Sequence, residues 1–270
     1  MSLILCRQEQ VQHPYYMENL RIHIHSSQEL CYVIFHHPLL VLDGFVDEHL
    51  IEFIRNELDM GFVALKLERW QKTNENQDEL LLLILQECDY YSSMELTKYR
   101  QKLLNLRKLS AMEYTKKRAD YLFHYGQYGK SISEYERLLE ELKGRKLDLG
   151  FLGRVWNNLG ASYARIFQFD KAFAAYEQSY SLLKNLEILK KMYDLTLLQP
   201  ELLLKERYQT VIPDALKAEW DADFAETKER AAQSAEVLDL DELFKRDPIK
   251  RMEGATRMIQ NWKKEYRSMG

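Results

Sequence analysis

The chain is expected to be all-α, and three observations point there. Ten glycines and five prolines make only 15 of 270 residues, under half the roughly 12% usual for these turn formers. Apolar residues recur at the 3.6-residue period of amphipathic helices over most of the length. A block of eight residues in the middle recurs 41 residues later. With 46% hydrophobic and 30% charged residues, the composition excludes collagen-like, linker-rich and disordered chains. At 270 residues the chain exceeds the ~100–200 of one ordinary domain, so one elongated domain or two compact ones are expected.

Leu20–His25 alternates apolar and polar residues, as a short strand or extended arm does. Ser26-Ser27 before Gln28-Glu29 is a helix N-cap signal, leading into Leu30–Phe35, which Pro38 and an Asp43-Gly44 turn close. Asp47–Asp59, apolar at Leu50, Ile51, Phe53, Ile54 and Leu58, has helical period, and Gly61 separates it from a helix over Phe62–Lys72. A polar Thr73–Asn76 loop precedes a largely buried helix over Gln77–Asp89. Ser92 or Ser93 caps the next helix, through Leu96, Tyr99, Leu103 and Leu106. No pair of strands is expected.

The recurring block is Tyr128-Gly129-Lys130-Ser131-Ile132-Ser133-Glu134-Tyr135, which aligns with Phe169-Asp170-Lys171-Ala172-Phe173-Ala174-Ala175-Tyr176. Trp156, Leu159, Gly160 and Tyr163 precede the second copy, with Thr115, Arg118, Ala119 and Leu122 in those places before the first. Trp156-x2-Leu159-Gly160-x2-Tyr163 followed by Ala172-x3-Tyr176 resembles the tetratricopeptide repeat, a helical hairpin of about 34 residues. The resemblance implies a right-handed solenoid in which Gly160 and Ala119 permit close helix crossings. Ala172 or Ser131 fills the facing position and Tyr176 or Tyr135 the wedge toward the next unit. The residues in excess of the repeat fall around Gly144–Gly150, and a third unit is drawn from Glu187–Leu197, the Pro200 break and Glu201–Ile212. The expected organisation is an N-terminal helical domain over 1–92, repeats over 93–212 and charged capping helices over 213–270.

Asp214–Glu242 has ten acidic and three basic residues, while Lys245–Gly270 has eight basic and three acidic. The simplest account is a basic tail folded along an acidic helix. Surface ion pairs contribute only ~0–1 kcal/mol each, so Met258, Ile259, Trp262 and Tyr266 are expected to anchor it.

Little in the chain nominates catalysis. Cys6, Cys31 and Cys88 are scattered and lack CxxC spacing, as in a reducing compartment. His23 and His25 would share a face of an extended segment with Asp43 or Asp47 near, but no metal-ligand spacing such as HExxH supports a site. His49-x2-Glu52 lacks a second copy. Neither a GxSxG elbow nor a phosphate-binding glycine loop occurs. No enzyme activity, cofactor or metal is expected.

The longest apolar run, Leu80–Leu85, has six residues against the ~20 of a spanning helix. Leu3–Cys6 follows no basic region, so no signal or lipoprotein segment is expected. A cytoplasmic protein without a membrane partner is the expectation. Nucleic acid is disfavoured by a net charge of −4, although the tail lysines and arginines could meet phosphates. A helix-turn-helix drawn over 27–70 would read DNA with Asp47–Asp59, which has five acidic residues and one arginine.

The family resemblance implies a protein- or peptide-binding adaptor or regulator, using the face lined by the first helix of each unit. Its peptide-binding candidates are Lys116, Asp120, Phe123 and His124 in the first unit and Arg154, Asn157, Asn158 and Arg165 in the second, with Glu113, Ala161 and Ala164 alongside. Lys116 and Asn158 match places used by chaperone-tail-binding members. Asp120 stands where that pattern has Asn, and Ile188 and Met192 replace its two final cations, so a chaperone clamp is not expected. The rival functions are a nucleic-acid-binding regulator with a repeat sensor domain and a metal-dependent enzyme.

Overall fold

The structure is a computed structural model that describes residues 11–42, 44–72, 76–145, 148–202 and 206–269. The Leu3–Cys6 segment, Asp43 and Thr73–Glu75 lie outside the described residues. The chain divides into two compact units, one up to Tyr121 and the other from Leu122, and it is mostly helical.

The first unit opens with a strand pair that the sequence did not announce. β1 (Tyr15–Met17) and β2 (Ile22–Ile24) are antiparallel, with Tyr16 opposite His23. β2 lies within the Leu20–His25 segment expected as a short strand, whereas its partner β1, three residues long, is too short for a period-2 pattern to separate from a loop. Tyr15 is buried and its ring lies against Phe53.

Helices follow: α1 (Ser27–His36), α2 (Pro38–Val41), α3 (Glu48–Asn56), α4 (Gly61–Lys72), α5 (Gln77–Glu87), α6 (Ser93–Arg107) and α7 (Ala111–His124). The expected caps are present, Ser26 accepting from the Glu29 N–H and Ser92 forming a reciprocal capping box with Glu95, and Asp47 also caps α3, accepting from the Leu50 N–H. A second such exchange, Ser110 with Glu113, starts α7. Hydrogen bonds from these serines hold the Glu95 and Glu113 carboxyls below the usual range. Glu113 therefore serves the cap of α7. Pro38 ends α1 as expected but also starts α2, where its missing N–H leaves no partner wanting.

The core of this unit joins Leu30 and Ile34 of α1, Leu50 and Ile54 of α3, Leu67 of α4 and Leu81 and Ile84 of α5, all fully buried. Tyr99 of α6 enters it, its hydroxyl donating to the Ile34 carbonyl at 2.9 Å and its ring stacking on Phe35. Cys31 and Cys88, far apart in sequence, also meet here. Their mutual interaction, with burial, pushes the Cys31 thiol up while the Cys88 thiol is held down.

The second unit continues with α8 (Tyr128–Leu142), α9 (Leu149–Arg165), α10 (Phe169–Leu183), α11 (Leu186–Leu198), α12 (Glu206–Gln209), α13 (Asp214–Ala232), α14 (Ala235–Phe244) and α15 (Pro248–Met269). Small residues set the closeness of α9 to α10. A Cβ on Gly160 would stand 2.8 Å from the Tyr176 ring, and one on Gly153 would stand 2.5 Å from Leu183. At the same crossing the Ser179 hydroxyl donates to the Gly153 carbonyl at 2.7 Å. Ser131 of α8 and Ser162 of α9, both fully buried, satisfy each other at 3.3 Å. The second helix expected over 201–212 is represented among the described residues by the four-residue α12. α13 instead meets α11: the Tyr193 hydroxyl donates to Asp221 at 2.6 Å, Lys190 pairs with Asp223 at 2.7 Å, and Trp220 lies beside the Tyr193 ring.

Next to these contacts the buried Asp194 Oδ1 has no hydrogen-bond partner among the described residues, and burial raises the carboxyl pKa. The folded chain therefore binds this proton more tightly than the unfolded chain. Stability is full below the ordinary carboxylate pKa of ~3.9 and declines as pH rises through the raised value. Asp194→Asn is expected to gain ~1 kcal/mol at neutral pH, because a neutral amide is less costly to bury. Urea unfolding at neutral and acidic pH checks this, with the gain shrinking on acidification.

The C-terminal stretch departs from expectation. The acidic segment is broken at Gln233–Ser234 into α13 and α14. α15 packs on α14 where Leu243 presses into Gly254, a position with no room for a Cβ. Ile259, Trp262 and Tyr266, expected as anchors, are instead exposed. Among the described residues no helix is long and apolar enough to cross a membrane.

Candidate binding site

Of the candidates from the sequence, Lys116 and Asp120 belong to the first unit and pair with each other at 2.7 Å, one helical turn apart. The other six lie in the second unit. Phe123 packs on Tyr128, with ring centres 5.3 Å apart, and Arg165 lies 6.0 Å from the same Tyr128 ring. His124 is exposed, edge-on to Tyr125. Arg154 turns back toward Asp148, the N-cap of α9, at 3.8 Å.

Asn157 and Asn158 are joined by a 2.9 Å side-chain hydrogen bond. Lys191 of α11 donates to Asn157 Oδ1 at 2.9 Å and lies 5.5 Å from the Tyr176 ring centre. Burial lowers the Lys191 pKa. Lys191 was not among the candidates, although it follows Asn157 by 34 residues, about one repeat unit. Ile188 and Met192, flanking it on α11, are buried core residues.

A cleft of the second unit lies elsewhere. The cleft, of about 950 Å³, runs between α8, α9 and α10, within the range of ordinary ligand sites. Its floor is apolar: Leu139 and Leu142 from α8, Leu152, Trp156 and Leu159 from α9, and Ala174 from α10. Its rim is charged. The Tyr163 hydroxyl donates to Glu136, Lys143 pairs with Glu140, and Lys171 lies 5.2 Å from the Tyr163 ring centre. Burial and the Glu136 carboxylate both push the Tyr163 hydroxyl pKa up, so this bond persists at neutral pH. Arg145 and Leu149 stand at the mouth, and Leu149 is 60% exposed.

The α9 register explains why this face was missed. At about 100° per residue, Leu152, Trp156, Leu159 and Tyr163 fall on one side of α9, while Arg154, Asn157, Asn158 and Arg165 fall on the opposite one. The repeat pattern assigns Trp156, Leu159 and Tyr163 to packing. Here, however, six residues join α8 to α9 against three joining α9 to α10, and the longer joint contributes Lys143, Gly144 and Arg145 to the cleft wall. The available signal was the excess of the 41-residue spacing over one repeat, located at Gly144–Gly150.

His23 and His25 have ring centres 6.4 Å apart. Among the described residues no group of three histidine, cysteine or acidic side chains is placed to hold a metal ion. None of the known family models, curated proteins or solved structures matches this chain, so the site rests on its own geometry.

Proposed function

We propose that the protein is a peptide- or protein-binding adaptor whose second unit holds apolar side chains of a partner in the cleft between α8, α9 and α10. The observation that carries this is the apolar floor around Trp156, open to solvent and rimmed by charges of both signs. Such a floor gives affinity through area removed from water, and the rim orients the guest. The guest best suited is an amphipathic helix or short segment with apolar residues at i, i+3 and i+4, carrying mixed charge beside them. No catalytic step is assigned. The rim groups are tied to one another, Tyr163 with Glu136 and Lys143 with Glu140, and none is poised as an acid, base or nucleophile.

The face implied by the family resemblance supplies a second reading, favoured by Lys191. This cation is partly buried and donates to Asn157, so a carboxylate arriving on that side of α9 would find it. Arg165 and Phe123, by contrast, are already engaged with Tyr128.

Selection of a displayed library of amphipathic helical peptides on the intact chain tests the proposal. Selected peptides are expected to carry two or three apolar anchors and to bind Leu152→Glu at least about thirtyfold more weakly, the loss of a central contact. Leu152 is only half-buried, so the variant should remain folded by circular dichroism. Peptides that bind Leu152→Glu unchanged but lose affinity for Lys191→Glu would move the site to the other face.

A further inference from the structure

The C-terminal helix poses a separate question, because its apolar residues are not where a folded tail would put them. α15 spans 22 residues. At about 100° per residue, Met252, Ala255, Ile259, Trp262 and Tyr266 fall within a quarter of its circumference. Met252, Ile259, Trp262 and Tyr266 are among the exposed large apolar side chains, with Trp262 46% exposed. Lys250, Arg257 and Lys264 occupy the opposite side and Arg267 a flank, while Arg251 and Lys263 border the stripe on its two edges. Glu253 and Glu265 both fall outside the stripe, and the helix has six cations against these two carboxylates.

The acidic α14 does not cover the stripe. It meets α15 at Gly254, through Leu243, about a third of a turn from the stripe's centre. That contact leaves Met252, Ile259, Trp262 and Tyr266 exposed.

We propose that α15 lies flat on an anionic lipid surface, burying this stripe at the headgroup boundary while its lysines and arginines meet lipid phosphates and carboxylates. An apolar stripe with an indole and a phenol, a cationic opposite face and low overall hydropathy are the requirements for an interfacial helix. The indole N–H of Trp262 and the hydroxyl of Tyr266 suit a boundary that is apolar on one side and wet on the other. A plane of headgroups also explains why both edges of the stripe are cationic: Arg251 and Lys263 meet it at once. Such binding needs no membrane-spanning segment, and in this proposal it takes the place of the expectation, drawn from spanning segments, that no membrane is a partner. It is independent of the α8–α10 cleft.

Sedimentation of the full chain with vesicles of phosphatidylcholine, with and without phosphatidylserine, tests it. Co-sedimentation is expected only with phosphatidylserine, accompanied by a blue shift of tryptophan emission. Each cation near such a surface is worth ~1 kcal/mol, so Lys263→Glu with Lys264→Glu should bind at least about thirtyfold more weakly. Ile259→Glu with Trp262→Glu should abolish binding, whereas Leu152→Glu should leave it unchanged. The altered α15 positions are exposed, and unchanged circular dichroism would confirm folding. The proposal is overturned if the chain stays in the supernatant, sediments equally with both vesicles, or is unaffected by both α15 variants. It is equally overturned if solution dimers that Ile259→Glu with Trp262→Glu splits form in place of vesicle binding.

Discussion

Replacing Arg107 by methionine is expected to destabilise the first unit by about 3 kcal/mol, a large share of the ~5–15 kcal/mol that holds a domain together. Asp78, at the start of α5, is 5% exposed. Its carboxylate accepts from Arg107 Nη2 at 2.7 Å and from Nε at 3.1 and 3.2 Å, and the same guanidinium reaches the Leu42 carbonyl at 3.2 Å. Methionine preserves much of the stem's volume but strands the carboxylate away from water. The positive end of the α5 dipole offsets only part of that cost. The double variant with Asp78→Asn should recover most of the loss, because a neutral amide no longer demands a counter-charge. Urea midpoints of the single and double variants decide the matter, and Arg107→Met within 0.5 kcal/mol (about the scatter of a neutral surface change) would contradict it.

The second large effect is expected at Gly160. Valine there would place its Cβ 2.8 Å from the ring of Tyr176, itself only 4% exposed. A rigid ring in a filled site cannot give way as a flexible side chain can, so α9 and α10 must separate. The cost is about 3 kcal/mol, at the upper end for overpacking. Because Leu159 and Tyr163 flank this crossing and line the cleft, Gly160→Val should also weaken guest binding. Gly160→Ala should cost less, as only one carbon must be accommodated. Equal stability of Gly160→Val and the parent by urea unfolding would show that the crossing is looser than described.

These two sites mark what could and could not be read from the chain. Local chemistry was legible: Ser26 and Ser92 act as caps because each sits just before an apolar period. Gly160 was also legible, through its place in a repeated pattern. The Asp78–Arg107 pair was not, since 29 residues separate its members and nothing in either neighbourhood specifies the other. β1 was missed because three residues carry no period. Periodicity shows that α15 has an apolar side, but whether another element covers that side is a property of packing. Trp156 was recognised as important, yet given a packing role. The longer joint between α8 and α9 leaves its face open, and a pattern written for tighter units assumes that face covered.

The most direct test of the binding account is methyl NMR of the leucine- and alanine-labelled chain, titrated with a peptide from the helical library. Shifts concentrated at Leu139, Leu152 and Leu159, with the Ala161 methyl unmoved, are the predicted result. Shifts at Ala161 while those three leucines stay in place would put the guest on the other side of α9 and contradict it.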